Sequence, residues 1–478
     1  MFTKHTKVDI IHPSEIGKGR FLMYELNSRA EKISFYKTVF ALVLPMAIQN
    51  LINVGVQAAD VLMLGKVGEV AISASSLAGQ IYFVMTLVFF GLNSGAAILT
   101  SQYWGKGDTK TIENILGLAM RIALIASLLF TVVALLFPTY LMRIFSHEPD
   151  VISAGAGYMR IVALAYIPTA FTSIYLGVVR STERVIISTV VYLISLIVNV
   201  IGNAVLIFGL FGAPALGVNG AAIATTIARY TEFVIVLFYA LKMNKTTRLN
   251  IPALLRTDKL LTKDFLKYTI PVTFNEIMWG GGISAINAII GHMGKAATSA
   301  NSVVQVVRQL AMVVVFGLAN ATAIILGKTI GECKLTHAKI YSERLIKLTA
   351  ILGVLGGLLI LSISPVVKTF MVLGTEAEGY LSAMMYVMSY FVVFQGITTV
   401  LIVGVFRAGG DTNFGVIMDI GTIWLIVIPI GAMAAFWWKL PVELVYVILT
   451  ADELLKIGFV FWRYRSFKWL NNVTRDFN

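Results

Sequence analysis

Long apolar runs constrain this chain more than any other feature of its sequence. A run of about 20 apolar residues crosses the roughly 30 Å hydrocarbon layer of a bilayer as one helix. With 58% hydrophobic and only 13% charged residues, the chain has more apolar surface than soluble domains of ordinary size can bury. We therefore predict an all-α membrane protein, which excludes the soluble enzyme classes. Twelve apolar runs, numbered 1 to 12, lie near residues 38–62, 77–101, 115–137, 156–179, 186–209, 219–241, 267–291, 299–326, 346–363, 383–406, 413–437 and 441–462.

Lysine and arginine are distributed unevenly between the loops. The chain carries 38 Lys and Arg against 25 Asp and Glu, a net charge of +13. Of the 38 basic residues, 29 lie in the terminal segments and the loops after even-numbered runs, and five lie in the opposite loops. Because cytoplasmic loops carry the excess of basic residues, we predict a multi-pass protein of the cell membrane with both termini in the cytoplasm. Topology explains the charge, so the predicted partner is the lipid bilayer and not nucleic acid.

The longest connection between runs is basic and divides the chain in two. The predicted organisation is a cytoplasmic N-terminal tail at 1–35, a six-helix lobe at 36–241, a cytoplasmic linker at 242–266, a second six-helix lobe at 267–463 and a cytoplasmic C-terminal tail at 464–478. Near the second tail, the aromatic and basic residues at 461–465 and 468–469 are typical of an anchor at the membrane interface.

The two lobes are predicted to be copies of one unit. Shifted by 226 residues, Pro45 to Gly105 aligns without a gap with Pro271 to Gly331, and 16 of the 61 positions are identical. With a one-residue slip, residues 177–180 also match residues 404–407. Run 1 aligns with run 7, an even number of helices later, so both copies have the same orientation in the membrane. Parallel repeats of this kind are typical of transporters that rock two lobes around a central site.

Polar side chains inside the runs are the candidate functional groups, because a charge in hydrocarbon costs a few kcal/mol or more. Asp60 lies toward the outer end of run 1. Asn199 and Asn203 are four residues apart on one face of run 5, and Thr225 reaches a similar depth in run 6. Carboxylate, amide and hydroxyl oxygens suit a small hard cation or a proton relay. We predict that these four residues form a cation-coupling site in the N-terminal lobe.

An alternative interpretation applies to the asparagines. Asn199 and Asn203 would then only hydrogen-bond neighbouring helices, as polar residues in membrane bundles often do. The repeat points to a special role for Asp60, since it aligns with Ile286 and the second lobe has no acid at that position.

Two further acids, Glu276 in run 7 and Asp419 in run 11, lie in the inner half of the predicted bundle. Either acid is suited to bind a cationic substrate. Glu276 also follows Pro271 and precedes three glycines, so we expect this helix to be weakened and to expose backbone carbonyls. The alternative for both acids is an interhelical pair with one of the arginines inside the runs, which are Arg121, Arg160, Arg229 and Arg308.

Other charges in the runs are predicted to be structural. Glu232 lies three residues after Arg229, the spacing of a helical ion pair. In run 12, Asp452, Glu453 and Lys456 are close enough in sequence to satisfy one another.

Enzymatic activity is not expected. The runs contain no arrangement of nucleophile, base or metal ligands, and the single cysteine, Cys333, has no partner that would activate it. The sequence has no Walker A motif, which disfavours transport driven by ATP hydrolysis in this chain. We predict no cofactor.

Several motifs, in this order and at these spacings, resemble the multidrug and toxic compound extrusion (MATE) family. The resemblance covers roughly residues 35–470. The matching motifs are AADVLMLG at 58–65, SQYWGKGD at 101–108, NVIGN at 199–203 with FG at 208–209, GVNGAAIAT at 217–225 and RAGGDT at 407–412.

The resemblance implies export of amphipathic, usually cationic organic compounds, coupled to inward movement of Na⁺ or H⁺. Asp60 matches the family's acid in run 1, Asn199 its asparagine in run 5, and Ala221 with Thr225 its cation-site positions in run 6. Asn203 stands at a position that is often Asp in the family, which removes one carboxylate from a Na⁺ site. The implied Na⁺ ligands are Asp60, Asn199 and Asn203. Glu276 lies about one turn before the family's glutamate in run 7, and it is assigned with Asp419 to substrate binding.

The expected mechanism is alternating access by a monomer. Asp60 takes a proton or Na⁺ from outside, and the change in charge alters the packing of runs 1, 5 and 6 and releases the exported compound. The alternative is a flippase for a lipid-linked oligosaccharide, which has a related two-lobe architecture. That function requires a basic central cavity for pyrophosphate, and only the four arginines inside the runs are available to build one.

Overall fold

The computed structural model describes residues 28–249, 258–370 and 374–476. Parts of the predicted tails and linker, namely residues 1–27, 250–257 and 477–478, lie outside the described residues. The described chain forms helices α1 (Arg29–Gly65), α2 (Glu69–Lys106), α3 (Thr109–Leu136), α4 (Pro149–Ala163 and Tyr166–Ser181), α5 (Ile186–Phe208), α6 (Gly217–Phe238, continued by Tyr239–Met243), α7 (Lys259–His292), α8 (Lys295–Gly331), α9 (Leu335–Phe370), α10 (Thr375–Thr399, continued by Val400–Phe406), α11 (Thr412–Trp437) and α12 (Val442–Leu449 and Asp452–Arg465). A short helix, Pro138–Phe145, connects α3 to α4.

These helices agree with the predicted membrane protein. Nine of the described helices are long and apolar enough to cross a membrane, and the two parts of α4 together make a tenth span. The other two predicted spans correspond to α7 and to α12, and the structure divides α12 into two shorter helices where the sequence predicted one continuous run. The all-α fold class is therefore confirmed, and the predicted count of twelve helices is consistent with the structure. We call α1 to α6 the N half and α7 to α12 the C half.

Helix α4 is broken where the sequence predicted one continuous run. Its two parts meet at an angle of 51°. Pro168 lies in the first turn of the second part and has no N–H to donate to the carbonyl four residues earlier. That carbonyl, of Leu164, instead accepts a hydrogen bond from the Tyr230 hydroxyl at 3.2 Å. The break therefore has a local cause in Pro168 and is stabilised by a side chain of α6.

The two halves meet where α2 crosses α8. A Cβ at Gly105 would collide with the Lys328 carbonyl, and one at Gly331 would collide with the Gln102 carbonyl. Gly105 and Gly331 are equivalent positions of the sequence repeat. The crossing is therefore symmetric, and it needs glycine on both helices because each backbone touches the other.

Further contacts between the halves lie on the same side of the bundle. A Cβ at Gly91 or at Gly95, in the second half of α2, would collide with α7. Near the start of α1, the Val43 carbonyl lies 3.2 Å from where a Cβ on Gly317 of α8 would be. We call this side the basic end; it is where α1 begins and where α2, α8 and α12 end. The two halves are thus joined through the half of the bundle that leads to the basic end.

The first part of α1 packs in the hydrophobic core of the C half, and the first part of α7 packs in the hydrophobic core of the N half. Phe35, Val39 and Val43 of α1 belong to the buried cluster of the C half. Phe265 and Val272 of α7 belong to the buried cluster of the N half. A movement of one half relative to the other at the basic end therefore has to carry α1 and α7 with it.

We predict opposite effects of one substitution at two glycines of α2. Gly105→Ala should lower stability by about 1–3 kcal/mol because the Lys328 backbone must move away from the new methyl group. Gly79→Ala is the matched control, since a Cβ there meets nothing within 4 Å and alanine favours the helix by up to about 1 kcal/mol. Thermal unfolding of the purified variants in detergent measures both effects. Equal stability of the two variants would contradict the close crossing.

Candidate functional site

Four of the predicted site residues form one hydrogen-bonded chain across α1, α5 and α6. Asn203 donates through Nδ2 to Asp60 Oδ1 at 2.5 Å and to Asn199 Oδ1 at 3.3 Å. Asn199 in turn donates through Nδ2 to Thr225 Oγ1 at 3.3 Å. The asparagines are buried, while Asp60 and Thr225 are half-buried. The chain lies in the half of the bundle away from the basic end, because Asp60 is near the end of α1 and Thr225 is early in α6.

One side-chain oxygen of these four hydrogen-bonded residues has no hydrogen-bond partner. Asn203 Oδ1 is buried and accepts no hydrogen bond, although an unsatisfied buried oxygen costs free energy. A cation beside Asp60 would satisfy it. Within the described residues, no group of three His, Cys, Asp or Glu side chains is arranged to hold a metal ion. A Na⁺ ion here would therefore depend on amide and hydroxyl oxygens as well as the single carboxylate.

Two residues near Asp60 are not among the predicted site residues. Tyr158 of α4 lies near both Asp60 and Thr225, and Arg229 of α6 also acts electrostatically on Asp60. No motif in one sequence marks Tyr158, because its contact with α1 and α6 depends on how α4 packs. Ala221, the remaining predicted site residue, is buried in a small apolar cluster with Leu64, so only its backbone has a polar atom to offer.

The predicted ion pair of α6 is confirmed. Arg229 bonds to Glu232 with an N–O distance of 2.6 Å, and its guanidinium lies 6.0 Å from the centre of the Tyr82 ring. Glu232 is therefore neutralised by its own helix.

Glu276 is paired with an arginine that the sequence analysis did not consider. Its carboxylate lies 2.7 Å from Arg407 Nη2, and both side chains are buried. Arg407 also donates to Ser94 Oγ of α2 at 2.8 Å, which joins the two halves. Helix α7 is continuous past Glu276, and the carbonyl of Met278 accepts a hydrogen bond from the Trp424 indole at 2.9 Å.

Asp419 belongs to a buried cluster of charges in the C half. Its carboxylate accepts hydrogen bonds from Lys456 Nζ at 2.9 Å and from Asn275 Nδ2 at 3.0 Å. The same ammonium lies 3.1 Å from Glu453 and 3.6 Å from Asp452. The predicted grouping of the α12 charges is therefore confirmed, and Asp419 of α11 joins it. One lysine faces three carboxylates.

Asp60 differs from Glu276 and Asp419 in its hydrogen-bond partner. The two C-half acids are bonded to cations of the protein, Arg407 and Lys456. The partner of Asp60 is the neutral amide of Asn203. A cation or a proton at Asp60 would have to displace an amide hydrogen bond, whereas one at Glu276 or Asp419 would have to compete with the positive charge of Arg407 or Lys456.

Three of the four arginines inside the runs lie at separate places in the bundle. Arg229 bonds to Glu232 in the N half, Arg308 bonds to Gln305 and Gln395 in the C half, and Arg160 is exposed. These three arginines lie apart from one another and do not form the shared basic cavity that the flippase alternative requires.

Comparison with known proteins gives concordant results. The MatE family profile matches residues 45–205 and 271–457. The chain is 23% identical over 464 residues to the "Probable multidrug resistance protein YoeA" of Bacillus subtilis, which covers 94% of this chain and 98% of that protein. It is 22% identical over 450 residues to a "Probable multidrug resistance protein NorM" of Agrobacterium fabrum, covering 91% and 96%.

The fold also has solved counterparts. One is described as the "outward-facing conformation of a multidrug resistance MATE family transporter of the MOP superfamily". The two structures superpose with a TM-score of 0.82 at 16% sequence identity, over 90% of this chain and 95% of that one.

We predict that Lys456 is essential for the stability of the C half. Lys456→Met removes the positive charge that three buried carboxylates share, and breaking a buried ion pair in this way costs about 3–5 kcal/mol. Lys295→Met is the control, because Lys295 is exposed at the start of α8. The melting temperature in detergent should fall sharply only for Lys456→Met. A wild-type melting temperature for that variant would exclude a structural role of the cluster.

Proposed function

The chain belongs to the MatE family, and from this premise we propose that it is a secondary active multidrug exporter. Family members are multidrug efflux transporters and multi-pass proteins of the cell membrane. For this chain, we propose antiport of amphipathic, mostly cationic organic compounds against inward Na⁺ or H⁺. The observation that carries the proposal is the hydrogen bond between Asp60 and the neutral amide of Asn203, which leaves this carboxylate available to an exchangeable cation.

The proposed orientation places the basic end in the cytoplasm, together with both termini. It rests on the 29 basic residues of that side against five on the other. Asp60 would then face the outer half of the membrane, from which the coupling ion enters. In this orientation, the contacts between the halves close the cytoplasmic side.

We propose alternating access between two lobes, with boundaries at 36–241 and 267–463 and a linker at 242–266. The coupling ion binds at Asp60 and weakens its bond to Asn203, so that α1 shifts relative to α5 and α6. The first turns of α1 pack in the core of the C half. A shift of α1 is therefore transmitted to the contact between the halves, which has to break before the cytoplasmic side opens.

The remaining assignments extend this proposal. Asn199, Asn203, Ala221 and Thr225 complete the coupling site around Asp60, and Asp60, Asn199 and Asn203 are the ligands for Na⁺ if Na⁺ is the coupling ion. Substrate binding is assigned to Glu276 and Asp419. A cationic substrate reaches either acid only after Arg407 or Lys456 has moved, since each acid is paired. We propose a monomer without cofactor or enzymatic activity.

Asp60→Asn should abolish ion-driven efflux while leaving folded protein in the membrane. The substitution keeps the size of the side chain and its contact with Asn203 but removes the charge that attracts a proton or Na⁺. Efflux of a fluorescent cationic dye from cells expressing the variant measures the effect. Asp150→Asn, at an exposed acid of α4, is the control and should retain wild-type efflux. Wild-type efflux by Asp60→Asn would refute coupling through the N half.

Asn203→Asp should increase the dependence of efflux on Na⁺. The substitution replaces the amide that bonds to Asp60 with a second carboxylate, and a hard cation binds two carboxylates more strongly than one carboxylate and a neutral amide. Dye efflux is measured with the Na⁺ gradient and the proton gradient collapsed separately, in wild type and variant. If collapse of the Na⁺ gradient affects both proteins equally, Asn203 does not determine the choice of ion.

A further inference from the structure

Beyond the last turn of α12, the chain crosses the basic end of the bundle as an ordered segment. We call residues 469–476 the strap. Its first residue, Trp469, is fully buried, stacks on Tyr464 at 6.1 Å between ring centres and donates its indole N–H to the Tyr464 carbonyl at 3.1 Å. The expected interfacial anchor is thus wrong for Trp469, because this side chain faces protein and not lipid.

The strap is bonded to the N half through Gln102 of α2. This side chain is fully buried and uses both ends of its amide. Its amide nitrogen, Nε2, donates to the carbonyls of Ala408 at 2.7 Å and Asn471 at 3.1 Å. Its Oε1 accepts a hydrogen bond from the Val473 N–H at 2.8 Å. One glutamine therefore connects α2 to the loop after α10 and to two residues of the strap.

Arg475 bonds both halves at once. Its guanidinium pairs with Asp264 of α7, with Nε 2.7 Å from Oδ2 and Nη2 3.0 Å from Oδ1. Its backbone N–H donates to the Tyr103 hydroxyl of α2 at 2.9 Å, and its carbonyl accepts from Lys106 Nζ at 2.8 Å. Lys106 also pairs with Asp476 at 2.6 Å. The strap thus lies in the seam between α2 and α7.

The sequence repeat explains why a strap is placed at this position. Gln102 is the repeat equivalent of Lys328. Lys328 of α8 bonds across the seam directly, 2.7 Å from Glu183 in the loop after α4. The equivalent loop of the C half offers Gln102 only the backbone carbonyl of Ala408. The strap supplies the other hydrogen-bond partners of Gln102. Gln102 is therefore also bonded to the C half through the strap, whereas Lys328 is bonded to the N half directly through Glu183.

We propose that the strap is a clasp that holds the two halves together at the basic end and has to leave its seat before that end opens. The strap continues from α12 of the C half and packs on Gly409 of the α10–α11 loop. It bonds to α2 of the N half and to Asp264 in the part of α7 that is packed in the core of the N half. The strap has to separate from α2 and from this part of α7 in the opposite state. The consequence for transport rests on the proposed function. The stabilisation of the closed end does not, because it concerns the conformation alone.

Distances between spin labels at the basic end test the clasp. Nitroxides are attached to Lys110→Cys of α3 and Thr336→Cys of α9, two exposed positions on opposite halves, in a Cys333→Ser background that removes the native thiol. The purified full-length protein is measured by pulsed EPR. Gln102→Ala and Arg475→Ala should each raise the ratio of long to short distances by about tenfold, since each removes two side-chain hydrogen bonds that hold the strap.

The controls separate loss of the clasp from general damage. Lys468→Ala removes an exposed basic side chain just before the strap and should leave the distances unchanged. Arg475→Lys keeps the charge beside Asp264 and should restore most of the short-distance population. If Gln102→Ala does not fold, Arg475→Ala and Asp264→Asn decide the matter. Unchanged distances in folded Arg475→Ala and Asp264→Asn would overturn the proposal.

Dye efflux by the unlabelled wild-type protein distinguishes this inference from the proposed function. Absence of efflux, with distances that respond to the strap variants, would reject the exporter and retain the clasp. Normal efflux, with distances that do not respond to the strap variants, would retain the exporter and reject the clasp.

Discussion

The close crossing of α2 and α8 is the contact on which the rest of the structure depends. Each helix presents a glycine to the other's backbone, Gly105 to the Lys328 carbonyl and Gly331 to the Gln102 carbonyl. Backbones that touch bring their neighbouring side chains into the same seam, so Gln102 and Lys328 are positioned to bond across it. The same crossing draws the halves together at the basic end and leaves the site around Asp60 at the other.

The long helix α1 connects these two regions. Asp60 lies 17 positions after Val43, which corresponds to about 25 Å along a helix. Val43 is buried in the core of the C half, whereas Asp60 bonds to Asn203 of the N half. A change of charge at Asp60 therefore acts on a helix whose other end is held by the opposite half. This arrangement couples a local electrostatic event to the contact between the halves without requiring a contact between the two sites.

The amount that could be predicted from the sequence differs between features for physical reasons. The membrane spans could be predicted from the apolar runs, and the ion pair of Arg229 with Glu232 from their three-residue spacing. Both features depend only on residues that are close in sequence. The pair of Glu276 with Arg407 could not be predicted, because it joins α7 to the turn after α10. The sequence repeat does not say how far apart these two elements lie. The break in α4 has a signal in the sequence, because Pro168 cannot donate a hydrogen bond to the carbonyl of Leu164. The strap has no such signal, since Val473 meets Gln102, and Arg475 meets Tyr103, only in the folded bundle.

Duplication supplied the scaffold, and divergence supplied the difference in chemistry between the halves. If the one-residue slip of the repeat is continued, Lys456 stands opposite Arg229 and Asp452 opposite Thr225, while Asp60 stands opposite Ile286. In the C half, the positive charge among the carboxylates is part of the protein and cannot leave. In the N half, the carboxylate of Asp60 is bonded to an amide, and Asn203 Oδ1 is left without a partner. In the proposed mechanism, an exchangeable ion at Asp60 changes the charge of the N half, whereas Lys456 remains among the carboxylates of the C half. Under this proposal, the asymmetry between the two sites is what allows one ion to shift one half relative to the other.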